Sequence, residues 1–149
     1  MSEGKSIDQG LAAMVGALVD AWNVHDARAF AACFAEDADF TNVFGMSARG
    51  RDAVEQFHAP IFETMFRDSR LSATDTRARF LDDRIAAVDV RWEMTGARDP
   101  MGNTWPKRRG LMSLIATQDS RRWSIAVMHN MDIADDMAAA QEKLQKASR

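Results

Sequence analysis

Helical periodicity in the first part of the sequence and strand periodicity in the rest predict an α+β domain, with helices covering one face of a mostly antiparallel sheet. Apolar residues recur at three- and four-residue intervals from Ile7 to Trp22 and again from Asp52 to Phe66, which is the stripe of an amphipathic helix. From Leu71 to Met131 the period falls to two, and the polar pairs Asp82-Asp83 and Asp119-Ser120 offer tight turns between neighbouring runs. About three helices over a strongly curved sheet enclose a cone-shaped cavity, whose mouth suits a small ligand.

The first helix carries Ile7, Leu11, Met14, Val15, Leu18, Val19 and Trp22 on one face and ends at Asn23-Val24-His25-Asp26. Asp26 is the N-cap expected for a second, shorter helix over Ala27 to Ala35, burying Phe30, Cys33 and Phe34. After the polar break Glu36-Asp37, alternation from Ala38 to Phe44 predicts a strand with Phe40, Asn42 and Phe44 on one face. Gly45 to Arg51 supplies a turn. The third helix follows, and Pro60 inside it predicts a kink or break near His58-Ala59, because proline removes a backbone hydrogen bond and clashes one turn back. Four strands are predicted next, Leu71 to Leu81, Arg84 to Thr95, Lys107 to Thr117 and Arg122 to Met131, with a mobile loop at Gly96 to Pro106. Residues 1–134 form a single domain in this reading. Residues 135–149 are a tail, and the Ala/Gln/Lys-rich stretch from Ala134 to Arg149 is a marginal helix.

Composition narrows the functional classes. The 149 residues include 19 Lys+Arg and 22 Asp+Glu, for a net charge of -3, whereas a nucleic-acid partner calls for a basic face. No secretory h-region follows the start, and no apolar run reaches the roughly 18 residues of a membrane span. The single cysteine, Cys33, cannot form an intrachain disulfide, and its apolar neighbours predict an inert core thiol in a reducing cytoplasm. His25, His58 and His129 have no metal-ligand spacing, and no GxGxxG follows a strand, so neither a metal nor a dinucleotide cofactor is expected. Ten Met, eight Phe and four Trp accompany no Tyr, a composition that fills irregular cores and lines adaptable apolar pockets.

The run Trp22 to Ala27, then Phe30 and Phe34 to Phe40, resembles the opening of the nuclear-transport-factor-2-like superfamily. The run Phe40 to Gly45, Gly50-Arg51, His58, Phe62, the Trp92 strand, Arg109-Gly110, Trp123-Ser124-Ile125 and His129-Asn130 are similar to the SgcJ/EcaC branch of SnoaL-like proteins. The resemblance spans residues 7 to 131 in order. It implies a cystatin-like cone, a homodimer, and an interior that holds a hydrophobic small molecule. Relatives of this kind include ketosteroid isomerases, polyketide cyclases, scytalone dehydratases and proteins without chemistry.

Asn42 falls where the ketosteroid isomerases carry a proton-shuttling carboxylate, and an amide can bind a carbonyl or hydroxyl but cannot abstract a proton. His58, four residues after Val54 and four before Phe62, lies on the apolar stripe of the third helix and faces the cavity. Parity groups His129 with Trp123, Ile125 and Val127, making it rather than Asn130 the inward member of its pair. His58 and His129 are therefore the candidate proton carriers. Trp22, Phe40, Phe44, Phe62, Met65 and Trp92 are the expected ligand-binding walls, and Asn42, Arg109 and Asn130 the expected polar contacts. Asp39, Asp89 and Arg91 read as solvated or ion-paired positions. Two functions fit this set: a cofactor-independent isomerase, dehydratase or cyclase acting on a hydrophobic oxygenated compound, and a non-catalytic carrier of such a compound.

Overall fold

Asp8 starts the first helix by accepting from the backbone N–H groups of Gly10 (2.8 Å) and Leu11 (3.2 Å), which satisfies donors that a helix N-terminus otherwise leaves open. The computed structural model describes residues 8–148; the predicted helix start at Ile7 and the tail residue Arg149 lie outside the described residues. Helix α1 (Gln9–Asn23) buries Leu11, Met14, Val15, Leu18, Ala21 and Trp22, each large apolar side chain contributing about 1.5–3 kcal/mol. Asp26 caps α2 (Ala27–Ala31) through the N–H of Ala29.

Helix α2 is shorter than its apolar residues predict, and strand β1 (Phe34–Thr41) begins earlier. The last strand captures this stretch: Phe34 pairs with Ile125, whose N–H donates to the Cys33 carbonyl at 2.9 Å. Glu36-Asp37 is consequently a shift of register within β1 rather than a break before it. At its other end β1 stops at Thr41 instead of Phe44, because the Asn42 side chain accepts from the N–H groups of both Phe44 (3.0 Å) and Met46 (2.8 Å) and folds the chain back. The returning segment is β2 (Ser47–Arg49), a short strand within the predicted turn. Gly50, at φ 93, bends the chain into α3 (Arg51–Glu63), which runs unbroken through Pro60.

Strands β3 (Arg70–Asp82), β4 (Ile85–Thr95), β5 (Arg108–Asp119) and β6 (Arg122–Asp132) form the predicted antiparallel meander. The six-stranded sheet has the order β2-β1-β6-β5-β4-β3, with only β1 and β6 parallel. Its inner face carries Val88, Val90, Trp92 and Met94 from β4 opposite Leu114, Met112, Gly110 and Arg108 from β5. The connection from Gly96 to Pro106 is a self-bonded hairpin, in which the Asp99 carboxylate accepts from Met101 and Asn103 at 2.9 Å and Arg98 bridges to Thr104. Helix α4 (Asp135–Ala147) buries none of its residues. Among the described residues no helix is long and apolar enough to cross a membrane.

Candidate functional site in the sheet concavity

Between α3 and the inner face of the sheet lies a cavity of about 420 Å³, walled by Trp22, Phe30, Phe40, Phe57, Met65 and Trp92 and reaching Phe44 and Met46 at the mouth. The expected walls Trp22, Phe40, Phe44, Met65 and Trp92 therefore meet in one place. Phe62 does not line the cavity. Its ring packs against Trp22 at 4.9 Å, one layer behind.

His58 occupies the stripe position its spacing predicts, buried with Val54 and Phe62 on α3. The Val54 carbonyl, which can only accept, lies 2.7 Å from Nδ1, so Nδ1 carries the proton in the neutral ring and Nε2 keeps its lone pair. Rings of Phe30 (4.4 Å), Phe40 (4.9 Å) and Phe57 (5.2 Å) surround the imidazole. Burial among them lowers the pKa from 6.5 to about 4, the hydrogen bond to Val54 opposing the shift only in part. Among the described residues no group bonds Nε2 and no occluded side-chain nitrogen or oxygen lacks a partner, so Nε2 opens on the cavity that His58 lines.

Across the cavity, the Trp92 indole lies over Gly110, where any Cβ would overlap the ring. Passing over the glycine lets Nε1 donate to Asn130 Oδ1 at 2.8 Å. Indole can only donate, so the bond fixes the Asn130 amide with its Nδ2 donors turned elsewhere. Arg108 completes this wall. Its side chain is 7% exposed and donates from Nη2 (2.8 Å) and Nε (3.3 Å) to one oxygen of Asp132. Its guanidinium carbon lies 3.7 Å from the centre of the Trp105 ring and 5.3 Å from that of Trp92. Trp105 in turn stacks on Phe44 at 6.0 Å and 19°, joining the 96–106 hairpin to the β1–β2 turn across the mouth.

Two expectations are corrected here. His129 points outward and is exposed, while Met128 and Asn130 face in. The cause is a bulge: Ile125 pairs with Ala116 but Val127 pairs with Ile115, so Ala126 is an extra residue that reverses the parity of everything after it. Arg109 is likewise outward, bonded to Asp135 at 3.1 Å, and its neighbour Arg108 is the arginine of the cavity. Parity with Met112 and Leu114 was the signal that marks Arg108. Asn42 does line the cavity, yet its carbonyl is spent on the turn and only Nδ2 is left for a ligand.

Asp39 pairs with Arg49 at 2.8 Å on an exposed edge. The outward Asp89 accepts from Ser113. His25, at φ 58, bonds the Ser69 carbonyl away from the site. Burial raises the Cys33 pKa against the opposing charge of Arg122, keeping the thiol protonated. No cluster of three or more potential metal ligands occurs among the described residues.

Apart from Gln56, whose amide both donates and accepts, the polar groups of the lining divide by chemistry: His58 Nε2 offers a lone pair, while Arg108, Asn130 and Asn42 offer donors. Residues 15–141 match the SnoaL-like domain family, and the chain belongs to it. No curated protein matches the sequence with significant similarity. Among solved structures, an uncharacterised protein with a cystatin-like fold from Caulobacter vibrioides is 26% identical, with a TM-score of 0.84 over 97% of this chain and 99% of that one. A candidate scytalone dehydratase from Novosphingobium aromaticivorans superposes at 0.71 with 16% identity, over 84% and 83% of the two chains. A hexachlorocyclohexane dehydrochlorinase (LinA, type 2) does so at 0.73 with 10% identity, over 83% and 82%. These last two share the fold.

Proposed function

We propose that the cavity binds a small hydrophobic compound bearing oxygen and that His58 transfers a proton on it, in an isomerisation, dehydration or cyclisation that uses no cofactor. One observation carries this reading: a neutral imidazole, oriented by the Val54 carbonyl, opens its Nε2 lone pair on a cavity whose walls are mostly aromatic and aliphatic. Nε2 takes a proton from the ligand, and the resulting imidazolium, poorly tolerated among aromatic rings, gives it up again readily. Donors on Asn130 and Arg108 bind the ligand oxygen and orient the ligand toward Nε2. A base whose pKa is about 4 abstracts only a proton that such a carbonyl or leaving group has already made acidic. The dehydratase and dehydrochlorinase names among the fold's neighbours denote eliminations from small molecules, which supports this class of step.

A carrier that changes nothing is the second reading. Its support is that the Nδ1 partner of His58 is a carbonyl rather than a carboxylate, so no negative group raises the basicity of the ring. Native mass spectrometry of the protein from its own host, followed by extraction of the bound compound, separates the two. Under the enzyme reading the extract contains a compound with its isomer or dehydration product, and His58→Gln lowers turnover at least about 100-fold while retaining the ligand. Recovery of a single compound unchanged after long incubation makes the chain a carrier.

We also propose a homodimer through the outer face of the sheet, where Leu111 and Met131, Ile115 and Val127 form cross-strand pairs. A cytoplasmic location fits the lone, protonated thiol of Cys33.

A further inference from the structure

We infer that the ligand of this cavity carries a carboxylate, bound by Arg108 with Asn130 beside it; this rests on the small-molecule pocket reading above and deepens it. The guanidinium is a charge held 7% exposed at the wall of an apolar cavity. Removing such a charge from water is costly unless partners satisfy it. Asp132 satisfies only one side. Both of its contacts, Nε at 3.3 Å and Nη2 at 2.8 Å, go to the same oxygen along the side edge of the fork. The end edge, formed by Nη1 and the second hydrogen of Nη2, finds only the Met94 sulfur, 3.8 Å from Nη1, a weak acceptor. The Asp132 side chain is 42% exposed, so water screens its charge more than that of the arginine it faces. The positive charge is therefore incompletely balanced on the cavity side.

Three features make that end edge a built receptor. Stacking on Trp105, with the guanidinium carbon 3.7 Å from the ring centre, sets the plane of the fork. Trp92 holds Asn130 by its carbonyl oxygen and so leaves the two Nδ2 hydrogens without a partner among the described residues. Trp92 also lies 5.3 Å from the guanidinium carbon, so the arginine and the amide border one indole. The groups of this wall left without a strong partner are all donors. A planar carboxylate presents two acceptor oxygens with the geometry of an arginine end edge and carries the missing charge. An ether, alkene or amide supplies neither the charge nor the second oxygen. The ligand is accordingly an apolar acid whose hydrocarbon part fills the aromatic cavity.

Equilibrium binding of three probes with one shared ring system, 2-naphthoate, its isostere 2-naphthamide, and 2-methylnaphthalene, tests this by calorimetry at pH 7.5 on the full chain. The acid should bind at least tenfold tighter than the amide. Arg108→Gln should abolish that preference while leaving the affinity for 2-methylnaphthalene unchanged within about twofold. Asn130→Ala, which leaves the arginine in place, should reduce the preference by several-fold, and it stands in if the arginine variant does not fold. Equal affinity for acid and amide in the natural chain overturns the carboxylate and leaves the pocket reading intact. Failure of all three probes to bind overturns both.

Discussion

His58 sits in the folded chain with a pKa of about 4 against an ordinary 6.5. As pH falls through 6.5 the unfolded chain takes up a proton there while the folded chain does not, so protonation favours unfolding. The stability associated with the neutral ring is complete above pH 6.5 and is lost progressively down to about 4. At about 1.36 kcal/mol per pKa unit, the loss between pH 7.5 and 4.5 is about 2–3 kcal/mol. Urea titrations at these two pH values should show that loss in the natural chain. His58→Leu should lack that share of it, whatever its stability at pH 7.5; an equal acid loss in both chains would show that His58 is not the group responsible. His58 was legible in the sequence because helical spacing alone puts it on the stripe of Val54 and Phe62. Arg108 and Arg109 are adjacent in one basic run, so residue type alone does not separate them. The parity of Met112 and Leu114 already points to Arg108. Trp105, in an irregular segment, has no periodicity that ties it to Arg108.

Within the elements, types were legible and interruptions were not. The stripe of α1 and the alternation of β3 to β6 follow directly from burying one face, which is why these elements stand close to where their patterns place them. A bulge leaves no such pattern, because it depends on the partner strand. Ala126 shows what this costs: one unpaired residue turns Asn130 into the cavity and His129 out of it. The two faces of β6 differ enough that the choice is energetic. With Ala126 present, Met128 is 1% exposed and Trp123 and Ile125 also face the core. Deleting Ala126 joins Ile125 directly to Val127, so Val127 still pairs with Ile115 and Met128 with Leu114 without a bulge: Met128 and Asn130 stay inward and His129 stays outside. The deletion should therefore keep the acid preference of the cavity, measured with the same probes. Loss of that preference in a folded deletion variant would mean that the bulge positions Asn130 through the twist it adds and not through parity alone. The turn at Asn42 is a related case: alternation continues on paper to Phe44, but a side-chain carbonyl that caps two N–H groups ends the strand first.

At the scale of the molecule, the sheet has one face covered by helices and one without them. The uncovered face is not polar in the way a solvated antiparallel sheet face is. Leu111, Ile115 and Val127 lie there half-buried beside the exposed Met131, and the exposed His129 pairs with Ser113 at the centre of the group. Asp89, Arg91 and Arg109 lie on the same face around this group, as exposed charges suited to a rim. An apolar centre inside a charged border is the anatomy of a subunit interface. A stable one buries about 800 Å² of each partner. Since the cavity opens on the opposite face, association there would leave the mouth accessible. Sedimentation equilibrium of the natural chain at micromolar concentration should therefore give the dimer mass. Ile115→Glu places a charge in the centre of the patch without touching any cavity residue, and it should give the monomer mass with unchanged affinity for 2-methylnaphthalene. A natural chain that sediments as a monomer would overturn the interface. A variant that dissociates and also loses the probe would show instead that pairing of the sheets holds the cavity in shape.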